Sequence, residues 1–93
     1  ASGKPIFLAM LTASASSTTV TLNWSDNSSD ELAFAIQRRN GNGVFSHIAT
    51  TSADVITFDN VVTATTSPYV YRLRAWNSGG YSAFSNHATT TVP

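Results

Sequence analysis

The chain contains no cysteine, so neither a disulfide nor a thiolate metal site can form. Charge is scarce. Five Lys and Arg balance five Asp and Glu, and charged residues make up 11% of the 93 positions, against about 25% in ordinary globular domains. That balance removes the broad positive field on which nucleic acid and anionic membrane surfaces depend, so a nucleic-acid partner is excluded. No apolar run approaches the roughly 18–20 residues of a membrane span, and no signal-peptide core is present. Histidine is limited to His47 and His87, on separate stretches with no carboxylate beside either. The chain also lacks a nucleophile elbow and a Gly-rich oxyanion loop, so any triad assembled from its serines is arbitrary. These gaps predict a non-enzyme that needs no cofactor and no metal.

What fills the space is hydroxyl: 13 Ser and 13 Thr make the surface polar without charging it. Thr also suits strands, because its β-branch packs well on a pleated surface. Strict alternation is the strongest pattern. Thr19–Trp24 puts Val20, Leu22 and Trp24 on one face, and Tyr69–Ala75 turns Tyr69, Tyr71, Leu73 and Ala75 inward. Phe34 and Ile36 form a third inward set, with Gln37 and Arg39 pointing away. The pairs Asn40-Gly41 and Asn42-Gly43 tolerate the positive φ of a tight hairpin, and Val44–Thr50 is the predicted return strand. Further strands are expected near 7–13, 55–58 and 82–92. The stretch 29–36 carries early acids, as a helix start does, but it is short and runs into the Asn-Gly turn, so it reads as loop then strand. The whole predicts an all-β, seven-stranded antiparallel Greek-key sandwich over residues 5–93, with residues 1–4 as linker. The opening Ala1-Ser2-Gly3 and the Thr-rich close at 89–93 read as linkers of a longer parent.

The chain resembles a fibronectin type III domain, an immunoglobulin-like sandwich. The resemblance rests on Pro5 with Leu11-Thr12-Ala13, on Val20–Ser28 around Trp24, on Phe34–Arg38, on Phe45 with Ile48-Ala49-Thr50, and on Tyr69–Asn77 followed by Gly80, Ser82 and Ser85. The variant with Trp-Ser-Asp-Asn-Ser and Ile-Ala-Thr is similar to modules repeated in secreted bacterial multidomain proteins, often polysaccharide-degrading enzymes. No Arg-Gly-Asp is present. The segment 63–68 departs from the family in lacking its usual Pro-Gly turn. The resemblance implies that Trp24 centres the core and that Tyr69 is a corner residue whose hydroxyl bonds upstream backbone.

Three stretches offer candidate sites. Asp26–Glu31 offers oxygen ligands for calcium, but lacks the spacing of a calcium loop; the simpler reading is a polar loop bonding its own backbone. Asn23 and Asn27 each begin an Asn-x-Ser pattern. The third site is the outward row Arg72, Arg74 and Trp76, joined by Arg39 from the neighbouring strand and Tyr81 from the last hairpin. Tyr81-Ser82-Ala83-Phe84-Ser85 is similar to the Trp-Ser-x-Trp-Ser motif of cytokine receptors, where rings and strand arginines stack; Phe84 itself is expected to pack inward as core. Such a row is either structural, Arg over ring being worth about 0.5–1 kcal/mol when exposed, or a sugar-stacking or protein-binding patch. Trp76 held between Arg72 and Arg74 favours the first reading, an exposed aromatic stripe the second. The expected role is a monomeric, secreted accessory or spacer module, with termini at opposite ends and neighbouring domains of its own polypeptide as partners. The alternative is a module that binds polysaccharide or a protein through the Arg72/Arg74/Trp76/Tyr81 face.

Overall fold

Eight β-strands arrange themselves in two antiparallel sheets in the computed structural model, which describes residues 10–25, 31–63 and 68–92. Strands β1 (Thr12–Ser16), β2 (Thr19–Asn23) and β5 (Thr57–Val61) form one sheet in the order β1-β2-β5. The other runs β4 (Ser46–Ser52), β3 (Ala33–Asn40), β6 (Tyr69–Asn77), and on the free edge of β6 come β7 (Gly80–Tyr81) and β8 (Ala88–Thr90). Only β1–β2, β3–β4 and β6–β7 join as neighbours within a sheet; the chain crosses between sheets at β2–β3, β4–β5 and β5–β6. Of the last strand expected near 82–92, only 88–90 is strand, as β8; the short β7 falls just before that span, and residues 82–87 between the two are not strand.

Alternation places the core as the sequence expects. Val20, Leu22, Phe34, Ile36, Tyr71, Leu73 and Ala75 are fully buried between the sheets. Trp24 meets Phe34 edge to face, ring centroids 5.7 Å apart at 69°, a favoured aromatic geometry. Its indole Nε1 is buried without a hydrogen-bond partner.

Several boundaries differ from expectation. The strand after the Asn-Gly turn starts at Ser46 rather than Val44, and Val44 is exposed. The connection is a five-residue loop, not a two-residue hairpin: only Gly41 takes a positive φ (58°), and Gly43 N–H donates back to Asn40 O. Along β3–β4 the register passes from Ile36↔Ala49 to Gln37↔His47, so Ile48 is the extra residue of a β-bulge. The strand expected at 55–58 begins at Thr57, because Val55 closes a turn onto Ser52 O. Of the first strand expected at 7–13, only Thr12 and Ala13 are strand, and 7–9 lie outside the described residues. The β1–β2 hairpin puts Ser17 at φ 56°, a left-handed conformation that favours glycine.

At one end of the sandwich, Tyr69 Oη donates to Thr63 O at 2.7 Å, six residues upstream. The departure from a Pro-Gly turn therefore leaves this bond in place, although residues 64–67 are outside the described set. Arg38, on the inward side of β3, reaches across the sheets. Its Nη1 donates to Asn60 Oδ1 at 2.7 Å, the atom that also accepts from Tyr71 Oη at 2.9 Å. Burial pushes the Tyr71 phenol up to about 12, with Arg38 pulling weakly the other way.

Candidate interaction face

Strand β6 sends Arg72, Arg74 and Trp76 to the face opposite the core, since alternate residues share a face about 7 Å apart. The arginines do not project freely. The Arg72 guanidinium lies 4.0 Å from the Phe45 centroid and 3.7 Å from that of Phe84; Arg74 lies 4.5 Å from Phe84 and 3.7 Å from Tyr81. Arg39 stands 4.8 Å from Phe45. Cations and rings thus alternate in one stack, Arg39–Phe45–Arg72–Phe84–Arg74–Tyr81. Arg72 is further fixed by its Nε donating to Gln37 Oε1 at 2.8 Å. His87 meets the Phe45 ring edge-on at 5.2 Å. Burial, then the neighbouring Arg74 and Arg39, lower the pKa of Arg72 from its ordinary value.

The stack explains residues 82–87. Ser82 N–H donates to Ala75 O and its Oγ accepts from Ala75 N–H, both at 2.9 Å. Ser85 repeats this on Leu73, its N–H donating at 2.7 Å and its Oγ accepting at 3.0 Å. Each serine serves β6 as donor through its amide and as acceptor through its hydroxyl. Three residues of this segment match two of β6, so the segment winds more tightly than a strand and leaves the regular ladder. That winding turns Phe84 to the same side as Tyr81. The expectation that Phe84 packs into the core is therefore wrong: it stands outside, between two guanidinium groups.

Trp76 takes no part in the stack. It pairs in register with Tyr81, and the two are 38% and 43% exposed. Beside them the outward positions of β3 are Ala33 and Ala35, directly opposite Trp76 and Arg74. Two small residues in succession leave a trough of about 220 Å³, walled by Trp76 and Tyr81 on one side and by His47 and Thr50 of β4 on the other. His47 Nε2 and Thr50 Oγ1 are 3.2 Å apart. The trough and the contributions of Phe45 and Phe84 escape an alternation argument; the three-residue spacing Tyr81/Phe84 and Ser82/Ser85 is the sequence signal that points to the stack.

Of the suggested calcium loop, residues 26–30 lie outside the described set, and Glu31 is buried. Among the described residues no three of His, Asp and Glu form a metal-holding group. Of the two Asn-x-Ser positions, Asn23 is exposed at the end of β2 and Asn27 is not described.

A scan of protein-family models and a search of curated proteins find no match. Solved structures do match. A structure called FN3tt, an FN3 domain, is 22% identical, covers 95% of this chain and 94% of its own, and has a TM-score of 0.79. Pectate lyase PelI from Erwinia chrysanthemi, in complex with tetragalacturonic acid, is 24% identical with a TM-score of 0.80 over 89% of this chain but 28% of the lyase chain. Titin kinase with its flanking domains is 16% identical with a TM-score of 0.83 over 98% of this chain and 18% of that one. The chain therefore corresponds to a whole isolated domain in the first case and to one part of a multidomain protein in the others. At these identities the likeness carries the architecture, and the chain has the fibronectin type III fold, an immunoglobulin-like antiparallel β-sandwich.

Proposed function

We infer that this domain is a non-catalytic, monomeric accessory module that holds neighbouring domains of a secreted multidomain protein at a fixed separation. The observation that carries this reading is the ladder of three arginines and three rings. It commits the most reactive-looking side chains of the surface to holding the last segment on β6, and among the described residues that face carries no paired acid and base. The likeness to parts of longer chains, pectate lyase and titin among them, supports a role beside other domains. The test uses the isolated chain. It is expected to unfold in one cooperative transition and to turn over no glycoside, polyuronate or ester substrate; turnover by the pure domain, or failure to fold alone, overturns the reading. A second reading, a module that binds polysaccharide or protein through the Arg72/Arg74/Trp76/Tyr81 face, is favoured by the exposed Trp76–Tyr81 pair beside the trough.

A further inference from the structure

The trough combines features found together nowhere else among the described residues. Its walls are two exposed aromatic rings from paired positions on β6 and β7. Its floor is Ala33 and Ala35, and its far rim carries an imidazole and a hydroxyl. Trp and Tyr offer a flat apolar face with a polar edge, which suits a ring that is apolar on its faces and hydroxylated around its rim. The volume of about 220 Å³ accommodates about one such ring and falls below the roughly 300–1,000 Å³ of drug-sized ligand sites.

Charge narrows the ligand. The sheet face that bears the trough also bears Arg39, Arg72, Arg74, His47 and His87. The described acids lie elsewhere: Asp59 on β5 accepts from Thr21, Asp54 sits in the β4–β5 turn, and Glu31 is buried ahead of β3. No carboxylate pairs with Arg39, Arg72 or Arg74 among the described residues; the Nε atoms of Arg39 and Arg74 are buried and that of Arg72 is bonded to Gln37, so the terminal Nη groups are the ones left for an anion. Arg74 is opposite the floor residue Ala35, and its guanidinium is 3.7 Å from the Tyr81 ring that walls the trough. Stacking between rings leaves the edges of a guanidinium open, and those edges carry its N–H donors. The cations therefore remain able to meet an anion arriving from solvent.

Resting on the second reading above, we propose that the trough binds an acidic glycan, one uronate ring lying against Trp76 and Tyr81 with its carboxylate directed toward Arg74. The neighbouring rings of the glycan follow the arginine stack, where no described carboxylate supplies a counter-charge.

The test titrates the intact domain with tetragalacturonate and with the same oligosaccharide methyl-esterified, followed by amide and indole NMR shifts. The acid form is expected to shift Ala33, Ala35, His47, Thr50, Trp76 and Tyr81, to bind at least about tenfold more tightly than the ester, and to weaken as salt rises. Ala35→Leu, which fills the floor without altering any charge, and Trp76→Ala, at an exposed position, are each expected to abolish the shifts while leaving the fold intact. Equal binding of acid and ester overturns the acidic assignment and keeps a glycan-binding reading. Binding that survives both Ala35→Leu and Trp76→Ala, and that polyphosphate reproduces, reduces the site to bare charge and overturns the proposal. No shift with either oligosaccharide overturns it together with the glycan form of the second reading.

Discussion

Phe84 is the residue on which the outer stack turns, because its ring is shared by two cations. Phe84→Leu keeps an apolar side chain on the face while removing the π-system that Arg72 and Arg74 lie against at 3.7 and 4.5 Å. Each partly exposed contact is worth about 0.5–1 kcal/mol, so the loss amounts to about 1–2 kcal/mol. In a domain of this size each kcal/mol moves Tm by roughly 4–8 °C. A loss of stability alone does not prove stacking, since a core Phe trimmed to Leu also destabilises. The decisive assay is a double-mutant cycle with Arg74→Gln in urea denaturation, reading Cm at constant m. A coupling of about 0.5–1 kcal/mol between positions 74 and 84 is expected. Strict additivity, or a Phe84→Leu variant as stable as the parent, refutes the stack as a source of stability.

The two buried tyrosines separate cleanly. Tyr69→Phe removes a donor from Thr63 O and is expected to cost about 0.5–1.5 kcal/mol, whereas Tyr71→Phe costs less, because Arg38 still satisfies Asn60 Oδ1; equal losses in thermal melts contradict this. Tyr71 also sets an alkaline limit. Its phenol titrates near 12 when folded against about 10 when unfolded, so the unfolded chain releases its proton first and stability falls as pH rises from 10 toward 12. That fall is expected to shrink in Tyr71→Phe, and a pH profile the same in both proteins removes the assignment. Ser17→Gly relieves the left-handed turn between β1 and β2 and is expected to raise Tm, corresponding to about 1 kcal/mol; an unchanged or lower Tm denies that strain. Trp24→Ala empties the centre of the core at a cost of roughly 3–5 kcal/mol and is expected to leave little folded protein by circular dichroism.

The interior was legible in the sequence because burial enforces period two. Val20, Leu22, Phe34, Ile36, Tyr71 and Leu73 all sit where alternation puts them. Boundaries were less so, because turns depend on φ values that Gly43 is free not to adopt, and because a bulge such as that at Ile48 leaves no compositional trace. The outer face was half legible. Alternation turned Arg72, Arg74 and Trp76 outward, but it could not foresee that Ser82 and Ser85 donate and accept through the same residue. That substitution frees the segment from period two, swings Phe84 out of the core, and gives the arginines their rings. The trough was hidden for a simpler reason: it is made by what Ala33 and Ala35 lack, and an absent side chain carries little signal until its neighbours are placed.

The central claim, a rigid module that fixes the positions of its two chain ends, is tested most directly by a distance. The chain has no native cysteine, so Met10→Cys and Thr91→Cys can carry paired spin labels at two exposed sites. Leu11 is bonded to the side chain of Asn86, and Thr91 lies five residues beyond Asn86, past β8, which puts the labels on the order of 15–20 Å apart at up to about 3.3 Å per residue. One narrow distance distribution near that value, unchanged between the isolated domain and the domain carrying a fused neighbour at each end, is the result predicted. A broad or multi-peaked distribution, or one that shifts when the neighbours are attached, contradicts it.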